Sequence, residues 1–459
     1  MAAEVSIAAR REKSMRIILI WVRRSMGGRR AMRQSSRLTV AGPQPDTGDE
    51  PGGRAMRQTL LPALMLTALL FTAPGARGQG VEDPFYAAPS PLPASSPGWV
   101  LRHRPLTGTM ALPAAARSTL VLYRSSDPHG RPIAVSGSVS LPPGTPPAGG
   151  WPVITWTHGT TGIAPVCAPS LDRPGGPEHD YITRIAALLD AFLRAGFAIV
   201  ATDYQGLGAG DFHPFLQGVP NARNALDMIR AARELEPTLS PRFGILGHSQ
   251  GGHAALFTAA EAPRHAPELE LVGGVAMAPG SQIAARLAAV MAAPQAELAL
   301  PYVLYVLQSY ATTFPEVDLA RILTPEAMAR LPELRVQCMT HALTATSWAT
   351  AIARDQFRRD AALGPFLAVA ARNEPGGLPI RVPVMVMQGA ADATVRPADT
   401  DRTVRRLCGN GVALEYRTFP GVDHDGVMAS GAEVAIAWMR ARFSGTPAGG
   451  NCAALPSAG

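Results

Sequence analysis

Lysine is almost missing from this sequence. Its 459 residues hold one, Lys13, and all the other Lys+Arg cations are arginine, which looks like a composition bias and not a recognition surface. Charge of either sign is scarce at 17%, and aromatic residues make up only 6%. Cysteine occurs four times, at 167, 338, 408 and 452, with no C-x-x-C spacing, so metal-knuckle and redox-motif readings are disfavoured. The leading apolar run, residues 60–73 interrupted by Pro62, falls short of the ~20 residues a membrane-spanning helix needs. What is plentiful is apolar surface: 47% hydrophobic residues exclude a disordered or collagen-like chain and supply ample core.

The net charge of +7 invites a nucleic-acid or membrane-surface reading, until it is divided along the chain. Residues 1–80 hold 13 basic and 5 acidic side chains, and residues 81–459 hold 29 and 30. The body is therefore near neutral, and no nucleic-acid partner is expected. Residues 56–80 read as a secretory signal peptide: Arg57 supplies the positive start, an apolar stretch follows, and Ala76-Arg77-Gly78 offers a small-x-small cleavage site. Residues 1–55 are basic and Gly/Pro-rich. They are expected to be a disordered or over-extended N-terminal stretch, favoured over a nucleic-acid arm or a twin-arginine export signal.

From residue 119 the pattern alternates between β runs and helical periods. Residues 119–123 and 132–141 flank Asp127-Pro128-His129-Gly130, a hairpin signal. Further strands are expected over 152–156, 197–201, 243–246, 271–276, 382–387 and 413–419. Helical spacing marks 185–193, stopped by Gly196, then 222–229 with Asn221 as N-cap, and 433–442. Strands alternating with helices imply a mostly parallel sheet with helices on both faces. Residues 281–365 break the rhythm with an Ala/Leu/Met-rich, all-helical insertion that reads as a cap or lid. The expected division is a first core part (81–280), the cap (281–365), a second core part (366–445) and a tail (446–459).

The sharpest local signal is Gly247-His248-Ser249-Gln250-Gly251-Gly252, set between an apolar strand and a helical run. That context is what a nucleophile elbow requires; a glycine-rich strand end with an idle serine is the plainer alternative. A serine hydroxyl needs a general base, and the base needs an orienting carboxylate. Only His341 and His424 lie well downstream; His341 falls in the helical insertion, whereas His424 directly follows the last strand. Asp392, on the loop after 382–387, is the expected acid, with Asp203 as its competitor. Asp423 and Asp425 flank His424 too closely to hold its ring, and Asp399 and Asp401 look like helix-start residues. The tetrahedral intermediate needs two backbone N–H donors, expected from Gln250 and, in the loop after 152–156, Thr160. His158 in that loop lacks companions at metal-ligand spacing and is expected to buttress the backbone.

The elbow, the stretch Trp156-Thr157-His158-Gly159-Thr160-Thr161-Gly162 with Cys167-Ala168-Pro169-Ser170 after it, and Ala201-Thr202-Asp203-Tyr204-Gln205-Gly206-Leu207-Gly208 together resemble the secretory-lipase family of α/β-hydrolases. The resemblance covers roughly residues 95–443. It implies an α/β-hydrolase fold with a helical cap, a secreted serine esterase or lipase, and triad roles for Ser249, Asp392 and His424. Four cysteines allow three pairings, and the resemblance favours Cys167–Cys338 with Cys408–Cys452. No metal or organic cofactor is called for. The expected partner is a small-molecule or lipid ester, with transient contact at a lipid interface compatible with an apolar cap. The rival readings are a serine peptidase, a carbohydrate-ester hydrolase, or a catalytically silent binding protein on the same scaffold.

Overall fold

The computed structural model describes residues 81–455; the expected signal peptide and the stretch before it lie outside them. Among the described residues nine strands form one sheet: β1 (Val100–Pro105), β2 (Arg117–Ser126), β3 (Pro132–Leu141), β4 (Trp151–Thr157), β5 (Ala198–Thr202), β6 (Leu239–His248), β7 (Glu270–Met277), β8 (Val384–Gly389) and β9 (Leu414–Phe419). Their order is β1-β2-β3-β5-β4-β6-β7-β8-β9. β1, β2, β3 and β5 pair antiparallel in succession, and from β5 to β9 every pairing is parallel. The expected α/β architecture is thus present, with an antiparallel flap on one edge.

The inner parallel strands are apolar on both faces because helices cover both, whereas the edge strand β9, with Glu415 and Arg417, is only partly buried. Successive residues point to opposite sides, so Ile154 and Trp156 of β4 join one core and Val153 joins another. The first core is closed by α1 (His179–Arg194), through Ile185, Leu189 and Phe192. On the other side α2 (Gly218–Leu235) contributes Leu226 and Ile229, and α3 (Gln250–His265) contributes Leu256 to a cluster with Val384 and Val386. Burial of one such side chain contributes about 1.5–3 kcal/mol, so this two-sided packing dominates the stability of the sheet.

Between β7 and β8 the chain runs through α4 (Ile283–Ala292), α5 (Leu300–Thr313), α6 (Pro325–Arg330), α7 (Met339–Ala342) and α8 (Gly364–Arg372), with short 3-10 turns. These helices have their own core, built on Leu287, Leu304, Tyr305, Tyr310, Trp348 and Phe366. α9 (Pro397–Gly409) and α10 (Gly426–Phe443) then alternate with the last strands, and α10 adds Val427 and Met439 to the first core. Among the described residues no helix is long and apolar enough to cross a membrane.

Two disulfides are present. Cys167–Cys338 joins the loop after β4 to the start of α7, and Cys408–Cys452 pins the C-terminal tail to α9; their Cα atoms stand 5.5 and 5.6 Å apart. This is the pairing implied by the family resemblance.

One local expectation needs correction, and one strand has no counterpart in the sequence analysis. Asn221 does not cap α2: the helix begins at Gly218, and Asn221 lies buried inside it without a side-chain partner. Pro220 is tolerated in the first turn because that position has no hydrogen bond to give up. The capping acceptor is instead Asn373 Oδ1, which takes the Gly218 N–H at 2.9 Å from 155 residues away. β1 went unrecognised because VLRHRP lacks the apolar alternation of a half-buried strand; it is an edge strand with an exposed end.

Candidate active site

At the end of β6 the chain turns sharply into α3. Ser249, the residue at the turn, has φ 57° and ψ −117°, a backbone conformation that side chains rarely adopt and that costs on the order of 1–3 kcal/mol. Two glycines make the turn possible. A Cβ on Gly247 would stand 2.1 Å from the Gly251 carbonyl oxygen, and one on Gly251 would stand 1.8 Å from that of Thr157. The strained residue is tied down on both sides: its N–H donates to Met277 O at 2.9 Å, and its carbonyl accepts from His253 and Gly280.

Gln250 opens α3, where backbone N–H groups lack intrahelical acceptors and the helix dipole is positive. Its buried side chain donates Nε2–H to His213 Nε2 at 2.7 Å. His213 Nδ1 in turn donates to Gln205 O at 2.9 Å. Burial pushes the His213 pKa down to about 3, so the ring stays neutral and able to accept.

Asp392 lies on the loop after β8 and is 4% exposed. Its Oδ1 accepts the N–H groups of Thr394 and Val395, each at 2.8 Å, and Oδ2 accepts Gln388 Nε2 at 3.0 Å. Oδ2 also receives His424 Nδ1 at 2.7 Å. Since the carboxylate only accepts, the proton sits on Nδ1 and His424 Nε2 is left as a bare base. His424 stands on the loop between β9 and α10. No hydrogen bond joins its ring to the Ser249 hydroxyl among the described residues, as is common before a ligand tightens such a site. His424 is tied to the elbow through His248, whose ring centroid is 4.6 Å from that of His424 and whose Nε2 donates to His424 O at 2.9 Å.

The other candidates are occupied elsewhere. Asp203 accepts from Ser170 N, Ser170 Oγ and Ser136 Oγ, and burial raises its pKa. His158 lies between the carbonyls of Gly159 and Asp203, held neutral by burial with a pKa of about 4. His341 pairs with Glu333 on the helical segment, 3.0 Å apart. Asp399 sits in the first turn of α9 among Arg286, Arg396 and Arg402. Asp423 accepts the Gly426 N–H at 2.8 Å.

One group among the described residues has metal-like proximity: His248, His424 and Asp425, with ligand atoms within 4.8 Å of one another. His248 has no lone pair left for a cation, because Nε2 carries its proton toward the His424 carbonyl and Nδ1 accepts from the Tyr181 hydroxyl, which leaves only His424 Nε2 and Asp425 as donors. A cavity of about 170 Å³ opens at Ser249, with Thr160 and Gln250 beside it. Its walls are largely apolar, from Leu216, Ile283, Leu287, Val303, Val306 and Phe366, and among the described residues Arg286 is the one charged side chain lining it.

Sequence reasoning passed over Tyr181, His248 and His213. His248 sits inside the elbow motif and was visible there; Tyr181 and His213 carry no local signal, since their partners are 67 and 37 residues away.

The profile of the secretory lipase family matches residues 182–451. The chain is similar to Lipase A of Arthroderma benhamiae, at 27% identity over 79% of this chain and 80% of that protein. It is also similar to a probable inactive lipase of Mycobacterium tuberculosis, at 26% identity over 80% and 83%. Among solved structures, Candida antarctica lipase A in its closed state superposes with a TM-score of 0.68 over 80% of this chain and 86% of that one, at 19% identity. That likeness speaks to the fold, which is the α/β-hydrolase fold.

Proposed function

The chain belongs to the secretory lipase family, and we propose that it is an exported carboxylic ester hydrolase acting through an acyl-serine intermediate. The observation that carries this reading is the 2.7 Å contact between His424 Nδ1 and Asp392 Oδ2, which leaves Nε2 basic beside the elbow at Ser249. Ser249 Oγ attacks the ester carbonyl carbon while His424 Nε2 takes the hydroxyl proton. The oxyanion is held by the N–H groups of Gln250 and Thr160. Collapse breaks the C–O bond, and the departing alcohol takes the proton from His424. Water then attacks the acyl-serine with His424 again as base, releasing the acid and restoring Ser249.

The apolar cavity supports an apolar acyl group, on a small-molecule or lipid ester. In this reading residues 81–280 and 366–445 form the hydrolase core, residues 281–365 lie over the site as a lid, and 446–459 are a stapled tail. Residues 56–80 direct export and are removed in the course of it, and the two disulfides suit an oxidising compartment.

Fluorophosphonate labelling with Ser249→Ala as control, followed by p-nitrophenyl esters from acetate to palmitate, tests the proposal. Labelling that depends on Ser249, with hydrolysis lost in the variant, supports it; hydrolysis surviving Ser249→Ala overturns it. A well-folded protein that neither labels nor hydrolyses any ester would favour the silent-binder reading, a live comparison given the probable inactive relative.

A further inference from the structure

His248, the elbow residue before Ser249, is fully buried, and each of its ring nitrogens has one partner. Nε2 lies 2.9 Å from the backbone carbonyl of His424, and Nδ1 lies 2.8 Å from the Tyr181 hydroxyl. A carbonyl oxygen only accepts, so Nε2 must carry the proton; Nδ1 is then an acceptor and Tyr181 donates to it. The Tyr181 oxygen also packs on the loop after β4, where a Cβ on Gly159 would come within 2.0 Å of it. One chain of contacts thus runs from Gly159, through Tyr181 and His248, to the carbonyl of His424.

We infer that His248 and Tyr181 are positioning residues, which hold the His424 loop and the Gly159–Thr160 loop in register with Ser249. The inference rests on the catalytic roles proposed above. His424 has two anchors with different jobs. Asp392 fixes the rotation of the ring through Nδ1, while His248 fixes the height of the loop through the backbone carbonyl. Without the second, the ring keeps its tautomer but Nε2 drifts from the serine hydroxyl.

The Tyr181 contact as drawn requires a neutral His248, because only then can Nδ1 accept. Burial and the neighbouring His424 ring hold its pKa well below the ordinary histidine value, so the donor–acceptor pattern persists through the neutral range. Neither His248 nor Tyr181 lines the apolar cavity, so substrate binding does not depend on them directly.

The test compares His248→Asn, His248→Gln and Tyr181→Phe with the wild type and Ser249→Ala, reading kcat, KM and the melting temperature on p-nitrophenyl butyrate. Asparagine can reproduce a polar atom only at the δ position and loses the His424 carbonyl; glutamine restores a donor near ε. His248→Asn is expected to lower kcat about 10²-fold with KM within about twofold, because small displacements of a reacting group carry losses of that size. His248→Gln is expected to recover most of that loss, and Tyr181→Phe to lose about tenfold in kcat with KM unchanged. Equal losses in the Asn and Gln variants, or wild-type kcat in both His248→Asn and Tyr181→Phe, overturn the inference while an inactive Ser249→Ala leaves the underlying function standing. If His248→Asn does not fold, Tyr181→Phe decides alone, since it removes a single oxygen atom. Activity surviving in Ser249→Ala instead sinks the function on which the inference is built.

Discussion

Asp392 and His424 are 32 residues apart in sequence and in direct contact, Oδ2 to Nδ1 at 2.7 Å, because β8 and β9 are adjacent parallel strands whose following loops leave the sheet at the same edge. The carboxylate also takes two backbone N–H groups and the Gln388 amide, so its orientation is set before the histidine reaches it.

This arrangement makes Asp392→Asn a test of orientation with little change of shape. An amide in that position favours the wrong imidazole tautomer, and kcat on a short-chain ester is expected to fall by roughly 10³–10⁴-fold. Asp203→Asn should separate from it: a lower melting temperature, with kcat per folded molecule within about twofold, because the Asp203 carboxylate serves Ser136 and Ser170. Comparable kcat losses in both would reject Asp392 as the particular orienting group.

Val306 sits on α5 and lines the cavity that opens at Ser249. Val306→Trp should fill part of it and penalise long acyl groups. The ratio of kcat/KM for octanoate over butyrate is expected to drop by roughly 10–200-fold, the range that a single methylene commands in an apolar pocket. An unchanged chain-length profile would place the acyl group elsewhere.

Glu178 and His253 should shape the pH dependence of stability from opposite ends. Burial raises Glu178 from 4.5 to about 7, while its carboxyl accepts the Thr340 N–H on the helical segment. Between these values the unfolded chain has released this proton and the folded chain has not, so stability falls as pH rises through the window. Glu178→Gln keeps the acceptor and removes the charge; its melting temperature should gain on the wild type from pH 4.5 to 7, by at most about 3 kcal/mol of stability. His253 behaves in the reverse sense. Burial lowers its pKa from 6.5 to about 4, so the unfolded chain binds the proton first and stability is lost as pH falls from 6.5 to 4. His253→Gln should flatten that acid limb. Parallel melting curves for variant and wild type across either window would contradict the assignment.

The two disulfides should differ in both weight and consequence. Cys167–Cys338 closes a separation of 171 residues and Cys408–Cys452 one of 44. Chain-entropy arguments give about 5 and about 4 kcal/mol respectively. Replacing the first pair with alanine should also lower activity, since Cys167 follows the loop that carries Thr160 and a Cβ on its neighbour Gly162 would meet the Cys167 sulfur at 2.8 Å. Replacing the second should leave kcat intact. Chemical denaturation and steady-state kinetics on both double variants provide the check.

Much of the fold was readable because its determinants are local. The apolar run of β6, the glycines around Ser249 and the helical period after them are contiguous, from Phe243 to Phe257. A strained turn of that kind announces itself in sequence because Gly247 and Gly251 tolerate no side chain. The start of α2 was misread for the opposite reason: its capping acceptor, Asn373, comes from another part of the chain, and no nearby residue signals it. Tyr181 and His213 escaped notice in the same way, being ordinary residues until folding puts a histidine or an amide against them.

The near-absence of lysine and the concentration of positive charge in residues 1–80 belong to the sequence alone, as do the fold class, the elbow and the chain order Ser249, Asp392, His424. Each depends on composition, on short-range periodicity, or on backbone sterics within a turn. Tertiary structure decided which polar atoms face one another: the Asp392–His424 contact, the His248 bridge to the His424 carbonyl, and the apolar cavity at Ser249. Hydrogen bonds act over about 3 Å, and only the packing of a parallel sheet between its helices brings groups tens or hundreds of residues apart within that reach.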